Sequence, residues 1–402
     1  MTQLQSILVP EALYNVQQAL QADDGSSLAK HEEALDAIAK LQRAVERPDE
    51  TVMRLRFSLL VPFAMRLAAE YGLIQDLAAA KGEQRAAADL ATPSGADELL
   101  ILRVMRLITA HGICDEHGHG RYSANAVTEF LSQTPIIGGL KHLYDHATPI
   151  LAKTPDLIQE KRLGSLDDPL TTASPLQEVW GAPMFSLLAS NPTRKQNFDN
   201  YMQARLHASI PKWFDIYDVQ TELASETNGT SNKALLVDVG GGKGHDIAQF
   251  AECFPDLPGE LVLQDLPQTF GSGLVASPDR VRIMGHDFFT EQPVKGARRY
   301  MMRQVLHDWS DDKCVEILKP IVAAMDPQRS RLLLVEEVLE EENVSWLSAS
   351  FDLVMWLFFN GIERTHRQWT TLLGRAGLTI VKIWALPGTK ERVIEAAIEV
   401  RR

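Results

Sequence analysis

Cysteine is scarce in this chain of 402 residues. There are only Cys114, Cys253 and Cys314, too far apart to frame a disulfide scaffold and without a C-x-x-C pair to seat a structural zinc. Dense basic blocks are missing as well. Lys and Arg total 40 against 53 Asp and Glu, and the formal charge of −13 repels a phosphate backbone, which weighs against nucleic acid as a partner. Long apolar runs are absent too: "LVMWLFF" at 353 to 359 falls far short of the roughly 20 residues that span a bilayer. The first thirty residues show no basic start followed by an apolar core. These absences point to a soluble protein of a reducing, cytoplasmic compartment, in which the N-x-[ST] matches at Asn228 and Asn343 carry no glycan.

What the chain has is bulk: 45% of its residues are hydrophobic, enough for a large core and for more than one domain. From Lys30 to Glu46, Leu35, Ile38, Leu41 and Val45 recur at spacings of three and four, so they line one face of a helix stopped by Pro48, and that face needs a packing partner. A second helical stretch carries Pro62, which should kink it. A third ends at Gly112, before a short hairpin in "CDEHGHGRYSANA". Helices followed by a hairpin outline a winged-helix-like module. Its basic complement (Arg103, Arg106, Arg121) is too thin for DNA, so self-association through apolar helices is the better reading. His111, Cys114, His117 and His119 match no familiar ligand spacing, and no metal is expected.

We divide the chain into a helical winged-helix-like dimerisation domain (1–130), a helical connecting layer (131–230) and a catalytic domain (231–402), with the polar "SETNGTSNK" at 225 to 233 as the junction. Beyond it, short apolar strands alternate with helical segments, predicting an open, mainly parallel α/β sheet with one antiparallel pair near its end.

At the end of the first of these strands, "LLVDVGGGKGHDIAQF" puts four glycines in five positions. A strand, a turn stripped of side chains and a helix let the backbone approach a polar ligand closely. The spacing rejects a P-loop, because Gly244 follows Lys243 where a hydroxyl belongs, and His245 stands where the dinucleotide fingerprint has its third glycine. Asp238, Gly240 and Gly242 at the turn, Asp265 on the next strand end, and Asp287 with Phe288 on the third supply acceptors and a ring for a nucleoside.

In that order, "VDVGGGKG", "LQDLP", "GHDFF" and "RQVLHDWSDDKCVEIL" resemble the motifs of the class I S-adenosylmethionine-dependent O-methyltransferases, the group with the plant caffeate and flavonoid enzymes and many fungal secondary-metabolite enzymes. The resemblance runs from about residue 50 to the end. It implies a Rossmann-like methyltransferase sheet, S-adenosylmethionine as cofactor, a front half that makes a homodimer, and a hydroxylated small molecule as substrate. His307 follows the fourth strand and matches the family's catalytic base, a role suited to an imidazole. Glu336 and Glu363 match the two carboxylates that orient it, with Glu337 as the neighbouring rival to Glu336. Arg303 matches a basic residue that holds the cofactor's amino-acid tail, and Met355 falls among apolar residues expected to line the acceptor pocket.

The front half also resembles the leporin-type pericyclases of the same family, in which the methyl is retained; His142 lies near a functional histidine of that group. Those proteins have an arginine-aspartate pair where this chain has His307 and Asp308, which favours methyl transfer. A third class, a winged-helix regulator that only senses the cofactor, fits poorly with retention of His307, Glu336 and Glu363.

Overall fold

The computed structural model describes residues 3–160, 173–207, 211–224, 234–271, 274–276 and 279–399; the proposed junction at 225–233 lies outside the described residues. The chain divides into two compact units, Met1–Pro155 with Ala182–Ile210, and Asp156–Gly181 with Pro211–Arg402.

The first unit is mainly helical. Its core gathers Leu73, Ile74, Leu77, Ile101, Met105, Ile108 and Tyr122 from successive helices and from a small sheet. That sheet joins β1 (Arg85–Ala86), β2 (Asp115–Glu116) and β3 (Arg121–Ser123) in the order β1-β3-β2. The β2–β3 hairpin was legible in the sequence and β1 was not. The helix around Pro62 breaks at Leu59, between Pro48–Ser58 and Leu60–Glu70. A proline ring crowds the carbonyl four residues back, which here belongs to Ser58.

The helix Leu28–Val45, capped by Ser27, departs from expectation. Ala34 and Ala37 are its buried residues, whereas Leu35, Ile38 and Val45 are exposed. Among the described residues of its own unit, the apolar stripe therefore has no cover. Val52, Leu55, Phe57 and Leu59 are exposed as well. Among the described residues no single helix is long and apolar enough to cross a membrane.

The second unit is built on one large sheet. Its strands are β4 (Ala234–Val239), β5 (Glu260–Asp265), β6 (Val281–Gly285), β7 (Arg299–Arg303), β8 (Arg331–Leu339), β9 (Arg364–Thr365), β10 (Leu378–Ala385) and β11 (Glu391–Ile398). The order is β10-β11-β8-β7-β4-β5-β6, with the short β9 alongside β8. Strands β6, β5, β4, β7 and β8 run parallel. The late antiparallel pair was foreseen, but β11 does not stay at the edge: it inserts between β8 and β10 and runs antiparallel to both.

Side chains of a strand alternate between faces, and both faces of this sheet are covered. Leu236, Leu263, Met301 and Val335 pack with Phe250 and Trp213 on one side. Val237, Val239, Met302 and Leu334 pack with Ile317, Leu318, Trp369 and Leu373 on the other. Strand order reverses between β4 and β7, and a parallel sheet opens its ligand crevice at the carboxyl ends of the strands flanking such a reversal. The glycine turn and His307 both follow these two strands.

Candidate active site

The turn after β4 is shaped by its glycines. Gly240, Gly242 and Gly244 all have positive φ, at 75°, 59° and 79°. Gly241 lacks that constraint, but a Cβ there would collide with the Asp238 carboxyl and come within 2.6 Å of Leu263 Cδ1. The turn thus lies directly on Asp238. That carboxyl is wholly buried and its Oδ2 has no hydrogen-bond partner. Burial pushes its pKa well above the ordinary range; Asp246 and Asp265 push the same way and Arg303 opposes them.

The other cofactor candidates surround this turn. Asp265 Oδ2 accepts from the Gly242 N–H at 2.8 Å, and its Oδ1 accepts from the Leu266 N–H and the Thr269 hydroxyl. Phe288 faces Gly240, with its ring 3.7 Å from where a Cβ would stand. The Asp287 carboxylate is turned back onto its own loop, where it accepts from the Phe289 N–H at 3.0 Å. An orphaned acidic oxygen beneath a bare turn, a strand-end carboxylate and a ring against the glycines fit a nucleoside that carries a cationic, amino-acid-like end. Asp238 and Asp246 would face the cationic end, Asp265 the ribose diol and Phe288 the base.

Arg303, at the end of β7, is more committed than expected. One end of its guanidinium donates to Asp246 Oδ1 at 2.7 Å and the other to both oxygens of Glu391 at 2.9 and 3.0 Å, leaving Nε buried without a partner. Gln304 also donates to Glu391, at 2.7 Å. Asp246 and Glu391 are part of this network and were missed in the sequence. Glu391 is brought here only because β11 inserts beside β8.

His307 sits on a short turn, Leu306–Asp308, that follows β7. Its Nδ1 donates to Glu363 Oε1 at 2.8 Å and lies 3.9 Å from Glu336 Oε2, while Nε2 lies 3.5 Å from Asp308 Oδ1. Glu336 and Glu337 are neighbours on β8 and the pleat turns them opposite ways. Glu336 is wholly buried and turned toward the ring, its Oε1 accepting from the backbone of Val305 and Leu306. Glu337 points away and bonds to Ser348. Glu363 is set by Asp352, whose Oδ1 accepts from its backbone N–H at 2.9 Å.

Three carboxylates around one imidazole change its acidity. Burial disfavours the imidazolium, but Glu336, the Glu363 hydrogen bond and Asp308 together outweigh burial and push the His307 pKa up to about 9. Glu336 is itself pushed up to about 7, by burial first and by Glu363, against the pull of His307 and of two backbone N–H groups. The resting imidazole therefore favours its protonated form at neutral pH.

The two substrate-side candidates fall in different units. Met355 is half-buried on the helix Trp346–Phe359, which ends at Asn360 in a left-handed cap. His142 is buried on Thr134–Gln159, its ring 4.7 Å from His146, 5.2 Å from Phe198 and 5.5 Å from Tyr201. Burial lowers its pKa to about 4, so the ring is neutral.

Comparison with known proteins bears on this arrangement. A model of the O-methyltransferase domain matches residues 164–379. O-methyltransferase penC of Penicillium thymicola is 34% identical over 353 residues, covering 88% of this chain and 87% of the relative. Demethylsterigmatocystin 6-O-methyltransferase of Aspergillus parasiticus is 32% identical over 316 residues, 78% of this chain and 79% of the relative. Among solved structures, LepI in complex with SAM superposes with a TM-score of 0.84 at 26% identity, over 97% of this chain and all of that one.

Proposed function

Since the chain belongs to the O-methyltransferase domain family of S-adenosylmethionine-dependent enzymes, we propose that it transfers the methyl of that cofactor to a hydroxyl of an aromatic or polyketide-like secondary metabolite, with His307 as general base. The observation that carries the assignment of the base is the grouping of Glu363, Glu336 and Asp308 around one imidazole at the carboxyl end of β7, next to the strand that bears the glycine turn.

When bound, S-adenosylmethionine supplies a methyl on a positively charged sulfur. The chain's own residues do the rest. Asp238 and Asp246 hold the cationic end of the cofactor, Asp265 the ribose hydroxyls and Phe288 the adenine, while Arg303 with its Glu391 anchor supports the amino-acid tail. His307 takes the acceptor's proton on Nε2. Glu363 fixes the opposite nitrogen as the N–H and, with Glu336, stabilises the imidazolium that forms.

The raised pKa suits this task. A phenol titrates near 10 and the imidazolium near 9, so the proton passes between groups of nearly equal affinity. Holding acceptor oxygen and methyl in line supplies much of the rate. Met355 is proposed as an acceptor contact. The uncovered apolar residues Leu35, Ile38, Val45, Val52 and Leu55 support a homodimer made through the front helices, and a cytoplasmic enzyme fits the composition.

A reaction that keeps the methyl is the second reading. It is favoured by the likeness to a structure described as a pericyclic reaction enzyme, with a TM-score of 0.82 at 28% identity over 96% of this chain and 97% of that one. Counting S-adenosylhomocysteine against product separates the two: one per turnover supports methyl transfer, and product formed with unconsumed cofactor establishes the alternative.

A further inference from the structure

Arg364 is wholly buried, yet among the described residues a single carboxylate, that of Asp311, meets it. Its Nη1 donates to the Leu306 carbonyl at 3.0 Å, Nη2 to the Trp309 carbonyl at 2.8 Å, and Nε to Asp311 Oδ1 at 2.9 Å. Its Cζ lies over the Trp369 ring, 5.2 Å from the ring centroid. The two carbonyls belong to residues on either side of His307 and Asp308, so the fork closes around the turn that carries the base. A buried cation held mainly by backbone oxygens is costly unless its geometry is well met, and here every arm of the fork is used.

The neighbouring residues grip the same turn. The Cys314 thiol, pushed up to about 12 chiefly by burial, keeps its hydrogen and donates to the same two carbonyls at 3.2 and 3.4 Å. The Ile362 N–H donates to a third carbonyl of this segment, that of His307, at 2.9 Å. Gly361 is required there, because a Cβ would collide with that carbonyl oxygen and stand 3.2 Å from Asp308 Cα. Glu363, just before β9, meets the imidazole, and Arg364, the first residue of β9, meets the backbone behind it.

We propose that Arg364 is a positioning residue for the base: its guanidinium, bridging the carbonyls of Leu306 and Trp309, fixes the turn that aims the His307 imidazole at Glu363. This rests on the reading of His307 as the base. Arg364 touches neither substrate nor cofactor in this role and acts through His307.

The test is the titration of His307 followed by long-range proton–nitrogen NMR on the full chain labelled with [15N]histidine, with S-adenosylhomocysteine bound. Arg364→Lys keeps the charge and loses the fork. The His307 midpoint should fall by at least about one pH unit, a ten-fold loss of proton affinity. A folded lysine variant with the wild-type titration, whatever its melting temperature, would reduce Arg364 to a packing residue. Should that variant fail to fold, Arg364→Gly with ethylguanidinium or ethylammonium decides. Recovery of the fold and the titration by ethylguanidinium alone supports the proposal; equal recovery with ethylammonium, or none with either, overturns it. Failure of the base reading is seen separately, as methyl transfer that survives His307→Ala.

Discussion

Glu363→Gln keeps the shape of the side chain and removes one charge at 2.8 Å from the His307 ring. A hydrogen bond between charged partners contributes about 1.5–3 kcal/mol, so its conversion to a neutral one should lower the His307 pKa by about 1–2 units. Wild-type kcat/KM should climb as pH rises toward about 9, because the imidazole must first lose its proton to serve as base. At neutral pH most wild-type rings hold that proton. In the glutamine variant the climb should flatten near pH 7–8 (about one to two units earlier) and the plateau should be lower, since a weaker base now faces the same acceptor. The assay is transfer from methyl-labelled cofactor measured from about pH 6 to about pH 10, a range that spans the ordinary imidazole value of about 6.5 and the raised value of about 9. A midpoint that stays near 9 in the variant would break the argument, either because another group accepts the proton or because Glu363 does not tune it.

Three further outcomes follow from the geometry. Asp238→Asn should leave the cofactor-free protein at least as stable at neutral pH and weaken S-adenosylhomocysteine binding at least about ten-fold, read by calorimetry and thermal melting: the native carboxyl is buried with an unpartnered oxygen, and its raised pKa costs stability as pH rises through the range where an unfolded Asp ionises. Gly241→Ala should lose about 1–3 kcal/mol in denaturant unfolding and bind the cofactor poorly, since the new methyl meets Asp238 and Leu263 in a packed turn. His307 has a folded pKa above its unfolded one, so its contribution to stability is complete below about 6.5 and lost as pH rises through about 9. Wild-type melting should therefore fall more steeply across that window than melting of His307→Asn, and parallel curves would contradict the assigned shift.

Much of the large sheet was legible because each strand is an apolar run bounded by a turn, and period and length suffice to find such runs. The glycine turn was legible for the same reason that it is functional: a backbone stripped of side chains is conspicuous. The insertion of β11 was hidden, because strand order is decided by pairing across the sheet, and with it went Glu391 as the partner of Arg303. The exposed stripe of Leu35, Ile38 and Val45 shows the converse case. Periodicity correctly found a helix and its apolar face, but not what covers that face, and within this unit small alanines are buried instead. Arg364 stands next to a recognised motif residue, yet its hydrogen-bond partners at Leu306, Trp309 and Asp311 lie more than fifty residues away in sequence. The alkaline shift of His307 was invisible for the same reason: it arises where Glu336, Glu363 and Asp308 converge in space.

The central claim is that His307 removes the acceptor's proton beside a cofactor held by the glycine turn. It is tested most directly by measuring S-adenosylhomocysteine affinity and single-turnover methyl transfer side by side on His307→Ala. Cofactor affinity should stay within about two-fold of wild type and transfer should slow by about 10²–10⁴-fold, the span usual for loss of a general base. Transfer at the wild-type rate would contradict it.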